Sequence, residues 1–394
     1  MRALDDIAEN GNRSELGVRQ FTGRHGLTLL EPAWRSLVDG SARRGVHHAF
    51  EVQLSYLEHV SPAPDAYLCL GLVIGSELAA ICPFEPKTMK ILGRRTSAWV
   101  MPHGFAELAR DVIGDSKVVR SEVLRHFVRH LGASTGQAQW LVLENIAAGS
   151  CVWESLHRLP AHSFVIHVTG AADTIDCERS FDALVTSLSP KFRRNLRSAQ
   201  RKLEALPDVR FVIARDPSGI RREFDAFLEL EVTGWKGTGG TNTALHFTSQ
   251  LREYVRTMLD RFGARGMAEV NALYADGRCV ASQLCVREGG DYVVLKLCYD
   301  EQYSQMRPGH LLLQNTLQRC CENPEVQRLN LVSHQEWHRD WHPDVQPRYT
   351  AYIGIVPWYG PILASLLRLS VNPRVKRFVP MVLLLPRVLR RWLR

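Results

Sequence analysis

Residues 291–315 read DYVVLKLCYDEQYSQMRPGHLLLQN and pass from a strand pattern through a polar turn into a helix start. From Tyr292 to Tyr299 the residues are β-branched, aromatic or aliphatic. Regular alternation puts Val293, Leu295, Leu297 and Tyr299 on a core face, and Val294, Lys296, Cys298 and Asp300 on a face that grows polar toward the C-terminal end. In an open α/β sheet that end is where a ligand crevice is expected. Pro308 then stands where a first helical residue belongs, followed by Gly309 and the apolar Leu311, Leu312, Leu313 and Leu317. Such a start is expected to leave the N–H groups of Gly309, His310 and Leu311 unpaired, at the positive end of the helix dipole and beside Arg307. That suits a phosphate as well as it suits an ordinary Pro-initiated helix.

Upstream, Ser189 and Pro190 cap a helix with the apolar stripe Phe192, Leu196, Ala199 and Leu203. Its other faces carry Lys191, Arg193, Arg194, Arg197, Arg201 and Lys202 before the first acid, Glu204. Like charges this dense repel one another, so an anionic partner stands beside the solvated-face reading. Residues 208–214 read as a strand and 217–233 as an amphipathic helix that runs into GWKGTGGT. This glycine-rich segment lacks the P-loop spacing and suits a gating loop with Trp235 as an apolar wall. A helix over 245–262 precedes a three-strand meander, residues 268–274, 279–287 and 292–299, turned by Asp276-Gly277 and Gly289-Gly290.

KLCYDEQYSQMRPGHLLL, with the earlier SPKFRRNLRSAQRKL and LELEVTGWKG, resembles the GNAT-superfamily acyltransferases related to the Fem-type aminoacyltransferases and to the CelD-like proteins of bacterial polysaccharide synthesis. The resemblance spans roughly residues 180–350. It rests on the order basic helix, strand, helix with a Glu and a Trp-Lys pair, antiparallel strands, Tyr-Asp, then Pro-Gly. The common Q/R-x-x-G-x-G/A phosphate loop is absent, and Pro308-Gly309 corresponds to the Fem-like variant. The resemblance implies acetyl-CoA or another acyl-CoA as co-substrate, contacted by Cys298, Tyr299, Arg307, Pro308, Gly309, His310 and Leu311. It implies an acceptor amine, on a small molecule or a glycan, near Trp235, Lys236 and His338. Trp337-His338 and Trp341 fall where the family has an aromatic-Lys pair and a second aromatic, and His338 gives up that permanent positive charge.

The first half repeats the pattern of the second: helices around residues 32–41 and 50–59, a hairpin turning near Gly75-Ser76, a helix over 121–131 and a strand over 139–144. The fold expected is therefore α/β with mixed sheets, built as tandem GNAT-like lobes, each a mostly antiparallel sheet flanked by helices. The degenerate lobe covers 20–170, the acyltransferase lobe 178–356, with a small, polar join near 170–178, and a basic amphipathic tail covers 357–394. Residues 1–20 read as polar and frayed. The first lobe has no Pro-Gly or Gly-rich turn before its later helix, so no cofactor is expected there.

A chain of 394 residues suits two domains. The formal charge of +8 is carried by residues 361–394, which hold eight Arg or Lys and no acid. The body is neutral, unlike a protein that wraps nucleic acid. Nine irregularly spaced cysteines form neither a disulfide framework nor a C-x-x-C pair. The N-terminus lacks an apolar signal segment, and no run is long enough to span a bilayer, so a cytoplasmic protein is expected. In the tail, Pro373, Pro380 and Pro386 break the apolar runs. It either lies peripherally on an anionic inner membrane face or packs through residues 363–369 and 379–385 on the first lobe.

For chemistry, a backbone N–H of the 292–299 strand would polarise a thioester carbonyl. Asp300 is the expected base toward the acceptor amine and Glu231 the second choice. Cys298 is open between covalent nucleophile and buried packing. His334, His338 and His342 recur at i, i+4, i+8 near Asp340 and Asp344. Pro343 would stop the helix such a metal site needs, and the aromatic neighbours suit packing, so no metal is expected. Two alternatives share the scaffold: an aminoacyl-tRNA-dependent Fem-like transferase, whose basic helix would meet RNA phosphates, and a non-catalytic partner of a membrane polysaccharide synthase.

Overall fold

The computed structural model describes residues 16–41, 43–104, 108–134, 138–234, 244–356 and 359–371. The chain opens with β1 (Leu16–Thr22), α1 (Gly23–Asp39), α2 (Phe50–His59), β2 (Leu68–Ile74), β3 (Glu77–Ile91), β4 (Arg94–Val100), α3 (Lys117–Ser134), β5 (Trp140–Ala147) and α4 (Cys151–Leu156). After β6 (Phe164–Asp176) the order recurs: α5 (Phe181–Ser187), α6 (Pro190–Glu204), β7 (Arg210–Ala214), α7 (Pro217–Thr233), α8 (Ser249–Ala264), β8 (Ala268–Ala275), β9 (Arg278–Glu288), β10 (Asp291–Tyr299), α9 (Pro308–Glu322) and β11 (Arg328–Asn330). β12 (Asp344–Gly354) and α10 (Gly360–Val371) close it. Residues 16–20, read as frayed, instead lie in β1 and pair antiparallel with β2.

All twelve strands form one mixed α/β sheet in the order β1-β2-β3-β4-β5-β12-β6-β11-β10-β9-β8-β7. Pairing is antiparallel except at β4 with β5 and β10 with β11, each a ladder of three residue pairs. The centre of the sheet is shared. β12, from the end of the second repeat, pairs with β5 of the first and with β6, and β6 runs through residues 170–176, where a join was expected. Turn chemistry sets the hairpins: Asp276 and Gly277 both take positive φ (53° and 71°), the pair a tight hairpin turn requires.

Apolar faces pack in layers on either side of the sheet. The stripe Phe192, Leu196, Ala199 and Leu203 of α6 is buried with Leu311, Leu313 and Leu317 of α9. Phe224 and Phe227 of α7 join Tyr254, Met258 and Phe262 of α8 on the opposite face. α10 docks through Ala364 and Leu367 against Trp140, Val142 and Val165, and Arg368 donates to the Phe164 carbonyl at 2.6 Å. It turns Ile362, Leu366 and Leu369 outward. The later tail, including residues 379–385, lies outside the described residues. No described helix is long and apolar enough to cross a membrane.

Candidate active site

β10 follows β11 for three pairs, Asp291 to Val293 opposite Arg328 to Asn330, and the two strands then part. The wedge between them opens into a cleft of 550 Å³ lined by β10 residues, Leu331 to Ser333, the α9 start, Glu231 and His338.

A β-bulge shapes its walls. Val294 lies opposite Cys285 and Lys296 opposite Leu284, so Leu295 is inserted into the ladder and the alternation of β10 changes phase. The expected face assignment therefore holds up to the bulge, where Val293 and Leu295 share one core opposite Val294, and is inverted beyond it. Before the bulge Val293 packs with α7 and α8 while Val294 faces α9; after it Cys298 packs toward α7, while Leu297 and Tyr299 face α9. The Cys298 thiol, buried 3.9 Å from the Phe227 carbonyl, sits in apolar packing.

The helix start also differs from expectation. Arg307 adopts a left-handed conformation (φ 47°), an unfavourable one for a residue with a side chain, and no side chain caps α9. The N–H groups of His310 and Leu311 both donate to the Arg307 carbonyl, at 3.0 and 3.1 Å. Pro308 has no N–H, so Gly309 supplies the remaining donor at the cleft floor. A Cβ at Gly309 would lie 3.3 Å from Leu297 Cδ2 and 3.4 Å from Tyr299 Cδ1, so the helix start sits close under the strand with little room for a larger side chain. Leu311 is buried in the core below. His310 accepts from Trp341 Nε1 at 3.2 Å and packs edge-on against Phe192 and Trp337. Burial, then the Arg307 charge, lowers its pKa to about 4, so the ring is neutral.

Two polar groups border the wedge. Glu231, 1 % exposed on α7, pairs with Lys296 Nζ at 2.5 Å and accepts the Leu245 N–H at 2.8 Å. It thereby ties β10 to both flanks of residues 235–243; Trp235 and Lys236 lie outside the described residues. Opposite, His338 is 2 % exposed with Nδ1 2.7 Å from Asp173 Oδ2, while His334 Nδ1 lies 2.7 Å from Oδ1 of the same carboxylate. Burial lowers the His338 pKa below its ordinary value, so the ring is neutral at pH 7. Nδ1 faces the Asp173 carboxylate and also lies 3.3 Å from the Gln335 N–H; a proton held on Nδ1 by the carboxylate would leave Nε2 as the basic atom. Residues 336–341 form a 3-10 helix instead of the regular helix a three-histidine site would need, and His342 ends it with φ 49°. Among the described residues no group of three His, Cys, Asp or Glu could hold a metal ion.

Asp300 stands apart from the cleft walls. Its carboxylate caps the 3-10 helix Glu301–Met306, accepting the Gln302 N–H at 2.9 Å. Sequence reading missed Asp173, which sits on β6 far from His338 in the chain; a lone Asp in a polar, small-residue stretch carries no signal of its own.

Residues 190–341 match the acetyltransferase (GNAT) domain family. No curated protein sequence matches the chain. Among solved structures, FemX superposes with a TM-score of 0.58 at 12% identity, covering 84% of this chain and 98% of its own, which shows a common fold. Weaker likenesses include the C-terminal domain of a putative lysylphosphatidylglycerol synthetase from Agrobacterium fabrum (TM-score 0.49, 12% identity, 86% and 97% covered). A tandem GNAT protein from the clavulanic acid biosynthesis pathway is also similar (0.46, 11%, 86% and 98%). Residues 190–341 thus match the GNAT domain family, within a chain that shares its fold with FemX, and the Fem-like branch is compatible with both.

Proposed function

We propose that the chain is an acyl-CoA-dependent N-acyltransferase acting on the amine of a small molecule or amino sugar. The observation that carries this reading is the β10–β11 wedge, floored by the uncapped α9 start at Arg307, Pro308 and Gly309. The Gly309 N–H, the dipole of α9 and Arg307 would hold a phosphate of the co-substrate. The bulged edge of β10 would border its acyl group. Acyl-CoA supplies the activated thioester. On the protein side, a neutral, Asp173-oriented His338 in the cleft wall is the base for the acceptor amine's proton. The Glu231–Lys296 pair holds the opposite wall. Asp300, engaged as a cap, is less suited to that task.

A second reading, acyl transfer from aminoacyl-tRNA, is favoured by α6. Lys191, Arg194, Arg197, Arg201 and Lys202 are exposed, and Phe192 on the same helix touches His310 at the cleft. Thermal unfolding of the full chain with acetyl-CoA, free CoA or tRNA separates the two. A rise with acetyl-CoA and CoA is expected; a rise with tRNA alone would select the second reading.

A further inference from the structure

On the other side of the β10–β11 ladder lies a larger cavity, 960 Å³, between the lobes. Its first-lobe wall carries His47 and His48; its second-lobe wall carries Asp291 and Arg328; Arg348 of β12 lies at the shared centre of the sheet. Val293 and Asn330 face this cavity, whereas their neighbours Val294 and Leu331 face the acyl cleft. The two spaces are separate.

Seven arginines line it, and six have a carboxylate partner, from Arg328 on Asp291 at 2.5 Å to Arg43 on Glu154 at 3.6 Å. Arg348 is the exception. It is 6% exposed, forms no ion pair among the described residues, and its Nε is buried without a hydrogen-bond partner. Burial and the neighbouring Arg328 charge both disfavour its cation, and Asp291, already bonded to Arg328, offsets this only in part. Leaving a guanidinium desolvated and unpaired is costly in a folded protein, and such cost is normally met by a counter-charge. No ion pair with a described residue supplies that counter-charge to Arg348. His47 and His48 border the same space. Burial lowers both pKa values, that of His48 to about 4, so they offer neutral imidazole hydrogen bonds without adding charge.

We propose that this interlobe cavity is a second binding site, for the oxyanion of a phosphate- or carboxylate-bearing ligand of sugar-phosphate or nucleotide size, with Arg348 as its primary contact. A guanidinium fork matches either oxyanion in a bidentate geometry, and the volume is that of a small-molecule site rather than of a single ion. The proposal is independent of the acyl donor.

The test is thermal unfolding of the full chain in sodium pyrophosphate, citrate or, at matched ionic strength, chloride. Pyrophosphate or citrate should raise the midpoint by roughly 2–5 °C over chloride; whichever acts more strongly assigns phosphate or carboxylate. Arg348→Met should abolish that rise while leaving the midpoint in chloride unchanged or higher, because it removes an uncompensated buried charge. Arg348→Lys should weaken the anion at least about tenfold through loss of the fork, and it decides the matter alone if Arg348→Met does not fold. Gly309→Val, which alters only the acyl cleft, should keep the full anion response. The proposal is overturned if neither anion exceeds chloride, if the response survives Arg348→Lys at full affinity, or if Gly309→Val removes it.

Discussion

The two lobes carry the same parallel strand pair, three rungs long, and use it differently. At β10–β11 the strands part into a cleft of 550 Å³; beside the end of β4 the remaining cavity is 30 Å³, the share of about one water. The difference lies in what fills the space. In the first lobe Tyr254, reaching across from α8, sits against Gly104, whose added Cβ would lie 2.6 Å from the phenol oxygen, and meets Tyr56 edge-on. The helix starts differ in the same sense. Ser116 caps the Val119 N–H of α3 at 3.3 Å, whereas α9 has no side-chain cap. One lobe fills its opening with side chains and the other leaves a cleft, so the shared fold sets where a space can open and the local side chains decide whether it does.

That contrast can be broken in several places. Tyr254→Ala should reopen the first-lobe space and cost about 3–5 kcal/mol in denaturant unfolding, with no gain of CoA binding; CoA bound by the variant at a second site would show that the lobes differ by this plug alone. His338→Gln should lower turnover about 100-fold or more at nearly unchanged CoA affinity, whereas His103→Gln beside the first-lobe cavity should leave turnover intact. Because the His338 pKa lies below its ordinary value, kcat/KM in the wild type should be flat at neutral pH and fall only as pH drops below about 6.5. A profile already falling at neutral pH would move the base elsewhere. Gly309→Val should weaken CoA by about tenfold or more, since its side chain would push into Leu297 and Tyr299; calorimetry giving wild-type affinity in a folded variant would remove the helix start from the site. Smallest, Ser116→Ala should cost about 1 kcal/mol of stability and leave CoA binding untouched.

What could be read from residues alone follows a physical line. Local signals were legible: the apolar stripe of α6, the Asp276-Gly277 turn, Pro308 at a helix start and the repeated element order. The bulge at Leu295 was not, because an inserted residue in an apolar strand leaves the composition unchanged while it inverts every face beyond it. The Asp173–His338 contact and the isolation of Arg348 depend on β6 and β12 lying side by side, a pairing no local pattern encodes. That the Asp300 carboxylate also caps a 3-10 turn was not legible either, because the turn itself leaves no local pattern.

The shared centre of the sheet also bears on how the protein is made. Ala351, Ile353 and Ile355, near the end of the chain, belong to the same apolar cluster as Leu68, Phe84 and Phe127 of the first lobe. During synthesis the first lobe therefore emerges with one side of β5 unpaired and part of its core missing, and it stays so until the whole second lobe has been translated. Pairings this distant in sequence form slowly and leave strand edges exposed meanwhile. The first lobe is in this sense the last to be finished, and a ribosome stalled before residue 344 would hold an unfinished sheet at its exit.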